Sequence, residues 1–312
     1  MDDPGLRLGA IDGTNPLGWM AALGAMVALA TTREADVSEP RLRWEYRGCW
    51  TPILYGADEE QVVERCLQDL RRTSGNPAFL ELHYQKDGKG ALQRDLKPPP
   101  EFYRQYLESL ARASDRAGLA LAAGFATDVA VDKSKGNTKP TALHFTCGQQ
   151  QFLTIADQLA EQLQEADLHE ALFEGWHYER ERKTFMWDAS TYRDYALRAD
   201  KPSNAKKGTV PGADWLAFRA LQALPCAPNG TAILTTLCRG SGNNIRMHWP
   251  IWEPSLTLHE IRSLLSLGSL MSLTQLDREA RGIIAVFDAA VVRSDQGLGG
   301  FAPPSPVLPS TL

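Results

Sequence analysis

Residues 17–30 read LGWMAALGAMVALA, an apolar stretch that limits the fold more than any other feature of the chain. It is shorter than the roughly 20 residues a membrane span needs, and it is rich in glycine and alanine. It therefore predicts a buried helix. Asn15 is a good N-cap, and Pro16 sits at the first helical position, where a missing N–H costs nothing. Leu17, Met20, Ala21, Gly24 and Ala28 fall on one face. Small residues at 18, 21, 22, 24 and 25 let another backbone approach closely, which predicts a helix central to the fold. Burying such a helix needs a large core. A chain of 312 residues, 43% hydrophobic and 23% charged, can supply one as a single large domain or two modest ones. Disorder, collagen and coiled coil are excluded as the main architecture.

Residues 6–11 read as a short strand, and 41–46 with 50–54 as a hairpin turning at Arg47-Gly48-Cys49. Asp58 opens an amphipathic helix with Val62, Val63, Cys66, Leu67 and Leu70 on one stripe, stopped at Gly75-Asn76-Pro77. Residues 79–84 read as a strand and 86–100 as a proline-rich loop. A helix over 101–117 carries Phe102, Tyr106 and Leu110, and a long helix with an acidic outer face spans 149–168. Residues 143–146 and 184–187 read as strands, and 215–224 as a helix. Residues 231–237 and 244–249 read as a hairpin joined by Arg239-Gly240-Ser241-Gly242-Asn243. A helical pattern covers 257–281, with Leu258, Ile261, Leu264, Leu265 and Met271. Short apolar segments follow at 283–287 and 290–293.

Helices and hairpins alternating irregularly predict an α+β fold. Its sheets are mixed and mostly antiparallel, with packed helices and a helical C-terminal segment. The expected division is an α+β body over 1–255 and a helical segment with a tail over 256–312. The five cysteines, Cys49, Cys66, Cys147, Cys226 and Cys238, are odd in number and form no CxxC pair. Free buried thiols are expected, with neither a disulfide framework nor a zinc ribbon. An acidic start and the absence of a lipidation motif give a cytoplasmic, membrane-free expectation.

Six histidines form no metal-ligating spacing, and the glycines around Ser241 match neither a phosphate-binding loop nor a nucleophile elbow. No metal, no cofactor and no catalytic residue is expected. Most of the eight tryptophans sit in apolar runs and belong to the core. The net charge of −5 argues against a small basic nucleic-acid-coating protein, but not against a local basic face. Cations do gather on loops. Lys133, Lys135 and Lys139 share one, Lys201, Lys206 and Lys207 another, and Arg239 and Arg246 flank a third that holds Asn243 and Asn244. Long cationic side chains on loops suit contact with a phosphate backbone.

Several segments, in order along the chain, carry a resemblance. Residues 11–24, from Ile11-Asp12-Gly13-Thr14-Asn15-Pro16 to Gly24, are similar to the "DGxNPLGFLAALG" opening of proteins encoded beside type I-G (formerly I-U) CRISPR loci. Phe185-Met186-Trp187-Asp188, continuing to Tyr195-Ala196-Leu197-Arg198-Ala199, resembles that group's "WD…YALRA" segment. Residues 212–219, Trp249-Pro250-Ile251-Trp252 and the glycine-bearing stretch 281–303 resemble its later segments. The resemblance implies a large-subunit-like or accessory component of a Cascade effector complex, without its own catalysis. Its partners would be guide RNA or target DNA and the other protein subunits. Two alternatives stand beside it. One is a small metal-dependent nuclease using Asp12 and Asp188. The other is a protein-interaction module of a defence operon, with the leucine-rich 257–271 helix as its interface.

Overall fold

The structure, a computed structural model, describes residues 4–34, 37–76, 81–85, 90–146, 150–191, 208–242, 244–268, 270–293 and 299–311. The Asn15 side chain accepts a hydrogen bond from the Leu17 N–H at 3.0 Å and starts helix α1, Pro16–Thr31. Every residue of α1 from Pro16 to Leu29 is buried. Helix α2, Glu59–Ser74, opens with a capping box between Asp58 and Gln61 and ends at Gly75. Its buried stripe is Val62, Val63, Cys66 and Leu70, with Asp69 and Thr73 turned inward beside them.

Two antiparallel sheets flank this helical layer. The first joins β1 (Leu6–Arg7), β2 (Arg41–Tyr46), β3 (Trp50–Tyr55) and a late strand, Leu256–Thr257, in the order β1, β3, β2, late strand. The second is built on two long strands, Arg246–Trp252 and Ile283–Arg293, paired along their length. Cys238–Arg239, Gly299–Phe301 and Ser305–Pro306 complete it. Tryptophans stitch the sheets to the core. Trp19 Nε1 donates to the Pro250 carbonyl at 3.0 Å, Trp249 Nε1 to that of Gly13 at 2.9 Å, and Trp252 Nε1 to that of Leu42 at 2.8 Å. Each indole so buries its apolar body and satisfies its one donor.

Between the sheets lie β4 (Tyr84–Gln85) with β5 (Leu92–Gln93), then α3 (Pro100–Arg112) and α4 (Arg116–Phe125). Strand β6 (Ala126–Val131) pairs with β7 (Thr138–Pro140), and α5 (Phe152–Gln162) and α6 (Glu165–His169) follow. Helix α7 (Pro211–Ala220) packs along α1. Gly24 is required there, because a Cβ would lie 1.7 Å from the Leu216 carbonyl oxygen. Next come β8 (Cys226–Asn229), β9 (Ala232–Thr235), β10 (Cys238–Arg239), β11 (Arg246–Trp252) and β12 (Leu256–Thr257). The chain closes with α8 (Leu258–Leu265), α9 (Gln275–Glu279), β13 (Ile283–Arg293), β14 (Gly299–Phe301) and β15 (Ser305–Pro306). The class is α+β, with the sheets antiparallel as expected.

Several local expectations are corrected. The helix expected over 101–117 stops at Arg112. Ser114 adopts a positive φ of 54°, and Asp115 then caps α4 through the Gly118 N–H at 2.9 Å. Its buried stripe uses Tyr103, not Phe102, which is 40% exposed. The long helix over 149–168 is broken at Leu163, where Gln164 and Asp167 form a new capping box. Residues 143–146 are buried without strand pairing, and so are Phe185 and Trp187 of 184–187. Trp187 Nε1 donates to the Leu143 carbonyl at 2.9 Å, and Phe185 stacks on Phe218. Strand β9 pairs with β8, and it is β10 that pairs with β11. The two apolar segments after 283 are one strand, β13. Within 257–281 the helical pattern resolves into α8, a 3-10 turn at Leu270–Ser272 and α9, with Met271 at the surface. Strands β12 and β13 of the 256–312 segment hydrogen-bond to β2 and β11 of the preceding body.

Candidate nucleic-acid interface

Two hairpins build the site. The turn between β6 and β7 is held by Asp132, whose Oδ1 accepts from the Ser134 N–H at 2.9 Å and from Ser134 Oγ at 2.7 Å. These bonds hold the Asp132 carboxyl below its usual range. Lys133 and Lys135 are exposed on this turn. Lys139, on β7, donates from Nζ to the Thr231 carbonyl at 2.6 Å, tying the first hairpin to the β8–β9 turn. The second hairpin joins β10 to β11 and sets Arg239 opposite Arg246. Its turn needs glycine at 240, where φ is +97° and a Cβ would lie 2.0 Å from the Asn244 carbonyl oxygen. Strand β9 lies between the two hairpins, and Oγ1 of its Thr235 accepts from the Ala142 N–H at 2.8 Å.

The space they enclose is an open cleft of about 570 Å³. Among the described residues five cations line it, namely Lys97, Lys135, Lys139, Arg239 and Arg293, against one carboxylate, Asp132. His144 forms part of its floor and is 2% exposed. Its Nε2 lies 2.6 Å from Asp95 Oδ1 and 2.9 Å from Thr146 Oγ1. Burial lowers the affinity of His144 for a second proton, although Asp95 opposes this. Burial also works against the Asp95 anion, but the hydrogen bond from His144 and nearby Lys97 bring its carboxyl below the usual value. The pair is thus a neutral imidazole donating from Nε2 to a carboxylate. Arg293 donates to the His144 carbonyl from Nη1 and Nη2, both at 3.3 Å, so the floor fixes one of the cations above it. A concave surface with this balance of charge recognises an anion, and its open form suits a chain of anions.

Of the loop residues singled out in the sequence, the cleft brings together Lys135, Lys139 and Arg239. Lys133 is exposed on the same turn but does not line it. Asn244 is exposed and donates its N–H to the Ser241 carbonyl at 3.1 Å, a turn contact. Arg246 lies outside the cleft. Its Nε bonds to Asp288 Oδ2, so its charge is matched within the sheet. Lys201, Lys206, Lys207 and Asn243 lie outside the described residues. Lys97 and Arg293 were missed. Lys97 stands in a proline-rich segment that reads as a linker, and Arg293 ends an apolar run that reads as core.

The segment from Asp12 and the segment bearing Asp188 do meet. Asn15 Nδ2 donates to Asp188 Oδ1 at 2.7 Å. Asp12, however, is turned onto Thr14, accepting from its N–H at 2.9 Å and its Oγ1 at 2.8 Å. Among the described residues, no three His, Cys, Asp or Glu side chains converge as metal ligands. Asp188 and its neighbours instead anchor the start of α1. Within the described residues Cys49, Cys66, Cys226 and Cys238 are free thiols. Burial pushes the Cys238 thiol, on the cleft wall, up to about 12, which keeps it protonated and inert. No described helix is long and apolar enough to cross a membrane. The chain matches no protein-family model, and no curated protein matches it.

Proposed function

We propose that the protein is a non-catalytic subunit of a CRISPR interference complex of the type I-G kind. In this reading it holds the phosphate backbone of guide RNA or target DNA in the cationic cleft and packs against other effector subunits. One observation carries it. Loops a hundred residues apart in sequence, bearing Lys135, Lys139 and Arg239, converge with Lys97 and Arg293 on one concave surface of an otherwise acidic protein. Convergent cations of this kind supply the sequence-independent part of nucleic-acid affinity. The segments around 11–24, 185–188, 212–219 and 249–252 that resemble the CRISPR-encoded group add support, because they pack together, while Tyr195–Ala199 lies outside the described residues. Asn15 bonds to Asp188, Trp249 bonds to Gly13, and α7 lies along α1.

The test is binding of fluorescent single-stranded RNA, single-stranded DNA and duplex DNA at 50 mM salt, together with co-expression with the neighbouring effector genes and a guide. Binding that Lys135→Glu with Arg239→Glu weakens by tenfold or more, and guide RNA co-purifying with the complex, are expected. A chain that binds none of the three and runs as a free monomer under co-expression overturns the reading.

A further inference from the structure

Arg239 belongs to two walls. Beyond the cleft it also lines an adjoining pocket of about 290 Å³, whose other sides are Leu237, His248, Leu267, Leu270 and Met271. The guanidinium is fixed at the boundary. Nη2 donates to the Gly268 carbonyl at 2.6 Å and Nη1 to that of Cys238 at 3.1 Å. At the lower end of the size range for small-molecule sites, the pocket suits one compact ring system.

Three observations mark it as more than a packing gap. His248 is 5% exposed, and its Nδ1 is buried with no hydrogen-bond partner. Its Nε2 stands 3.9 Å from Asp288 Oδ2, beyond hydrogen-bond length. Nδ1 is closed off from the pocket, so Nε2, left without a hydrogen bond at that distance, is the imidazole atom a ligand can reach. Leu237 holds a φ of +66°, a strained conformation for a side-chain-bearing residue, fixed by the His248 N–H donating to its carbonyl at 2.8 Å. Met271, 40% exposed, forms the adaptable lip.

We propose that this pocket receives one unpaired nucleobase of a strand whose phosphates lie in the cleft, with Arg239 between base and backbone and His248 bonding the base edge. The proposal rests on the reading of the cleft as a nucleic-acid site. It narrows the ligand to a single strand, because a base inside a duplex cannot enter a walled pocket. The imidazole is suited to the task. Burial lowers its proton affinity, so the neutral ring meets a base edge through Nε2, as donor or acceptor according to its tautomer. The walls are aliphatic and hold a base of any identity by apolar contact.

The experiment compares binding of short oligouridylate and oligodeoxythymidylate with abasic strands of the same length, at 50 and 200 mM salt. The base-bearing strand should bind about tenfold tighter or more than its abasic counterpart. Met271→Trp, which fills the pocket from its exposed lip, should bring it down to the abasic level. A gap in either arm supports the proposal, and the arm showing the larger gap identifies the preferred sugar. If abasic and base-bearing strands bind the wild-type protein equally, with salt weakening both, the base pocket is wrong and the cleft stands. If neither binds at 50 mM salt, the base pocket is wrong, and the duplex and co-expression arms decide whether the cleft reading falls with it.

Discussion

Asp69 and Arg219 carry opposite charges into the helical layer, with side chains 2% and 1% exposed. The guanidinium bonds both carboxylate oxygens, at 2.7 and 3.0 Å, and Thr31 Oγ1 donates to Asp69 Oδ1 at 3.1 Å. One ion pair thus ties α2 to α7 and to the end of α1. Removing one member strands the other charge out of water, so Asp69→Asn should cost about 3–5 kcal/mol. Urea denaturation would read that loss, and the double replacement Asp69→Leu with Arg219→Met should recover most of it. Asp214 poses the opposite case. Burial raises its carboxyl to about 7, although Thr184 Oγ1 donates to it at 2.8 Å. The unfolded chain releases this proton near pH 4 and the folded protein only near 7, so stability falls as pH rises between them. At about 1.4 kcal/mol for each tenfold difference in proton affinity, the fall is on the order of 4 kcal/mol. Asp214→Asn should remove that slope in urea titrations at pH 4, 5, 6, 7 and 8. An unchanged slope would show that Asp214 is not its source. Neither role is visible in the sequence, where Asp69 lies off the apolar stripe of its helix, Arg219 is one polar residue within the 215–224 helix and Asp214 stands just before it.

Elements with a strong local signal are the legible ones. Asn15-Pro16 marks the start of α1, Asp58 that of α2, and Gly48 the turn of the β2–β3 hairpin. The missed elements lack such a signal or are decided by tertiary contact. Residues 184–187 alternate like a strand, yet Phe185 and Trp187 are fixed by stacking in the core and not by a neighbouring strand. The 101–117 helix reads as continuous because its break after Arg112 is marked only by Ser114-Asp115, two residues that the surrounding helical pattern spans. The small residues of α1 were legible as a close-approach face, and the structure shows how close. Alanine is the better helix former by about 1 kcal/mol, so Gly24→Ala would stabilise an isolated α1. In the protein the added methyl meets the Leu216 carbonyl at 1.7 Å, and α1 and α7 must separate. The variant should lose at least about 3 kcal/mol in urea denaturation, the upper range for overpacking. A neutral result would show that α1 and α7 are not in this contact in solution.

At the scale of the whole molecule, the charge of −5 hides a separation of signs. Glu59, Glu60 and Glu64 of α2 gather with Glu165 of α6 around one concavity, while five cations gather around the cleft. The sequence showed loop cations but not which of them converge. Arg246 looked equivalent to Arg239, yet the register of β11 against β13 pairs it with Ala290 and puts Asp288 within reach of its guanidinium. The same long strand carries Arg293 to the cleft from a segment that reads as core. Such pairings depend on the register between two strands 42 residues apart at Arg246 and Asp288, which neither segment read alone contains. The separation has a measurable consequence. Each phosphate neutralised on a single strand releases about 0.7 of a counterion, so five contacts set a limiting log–log salt slope of about −3.5. Asp132 at the rim brings the expected value nearer to about −3. Lys135→Ala should make the slope shallower by somewhat less than 1 and weaken binding of all sequences alike. Glu64→Gln, on the acidic concavity, should change affinity less than about twofold at 150 mM salt, because charges beyond a Debye length of about 8 Å are largely screened. A slope near zero would mean that the strand is not held by its phosphates, and equal effects of Lys135→Ala and Glu64→Gln would mean that net charge, not the cleft, governs binding.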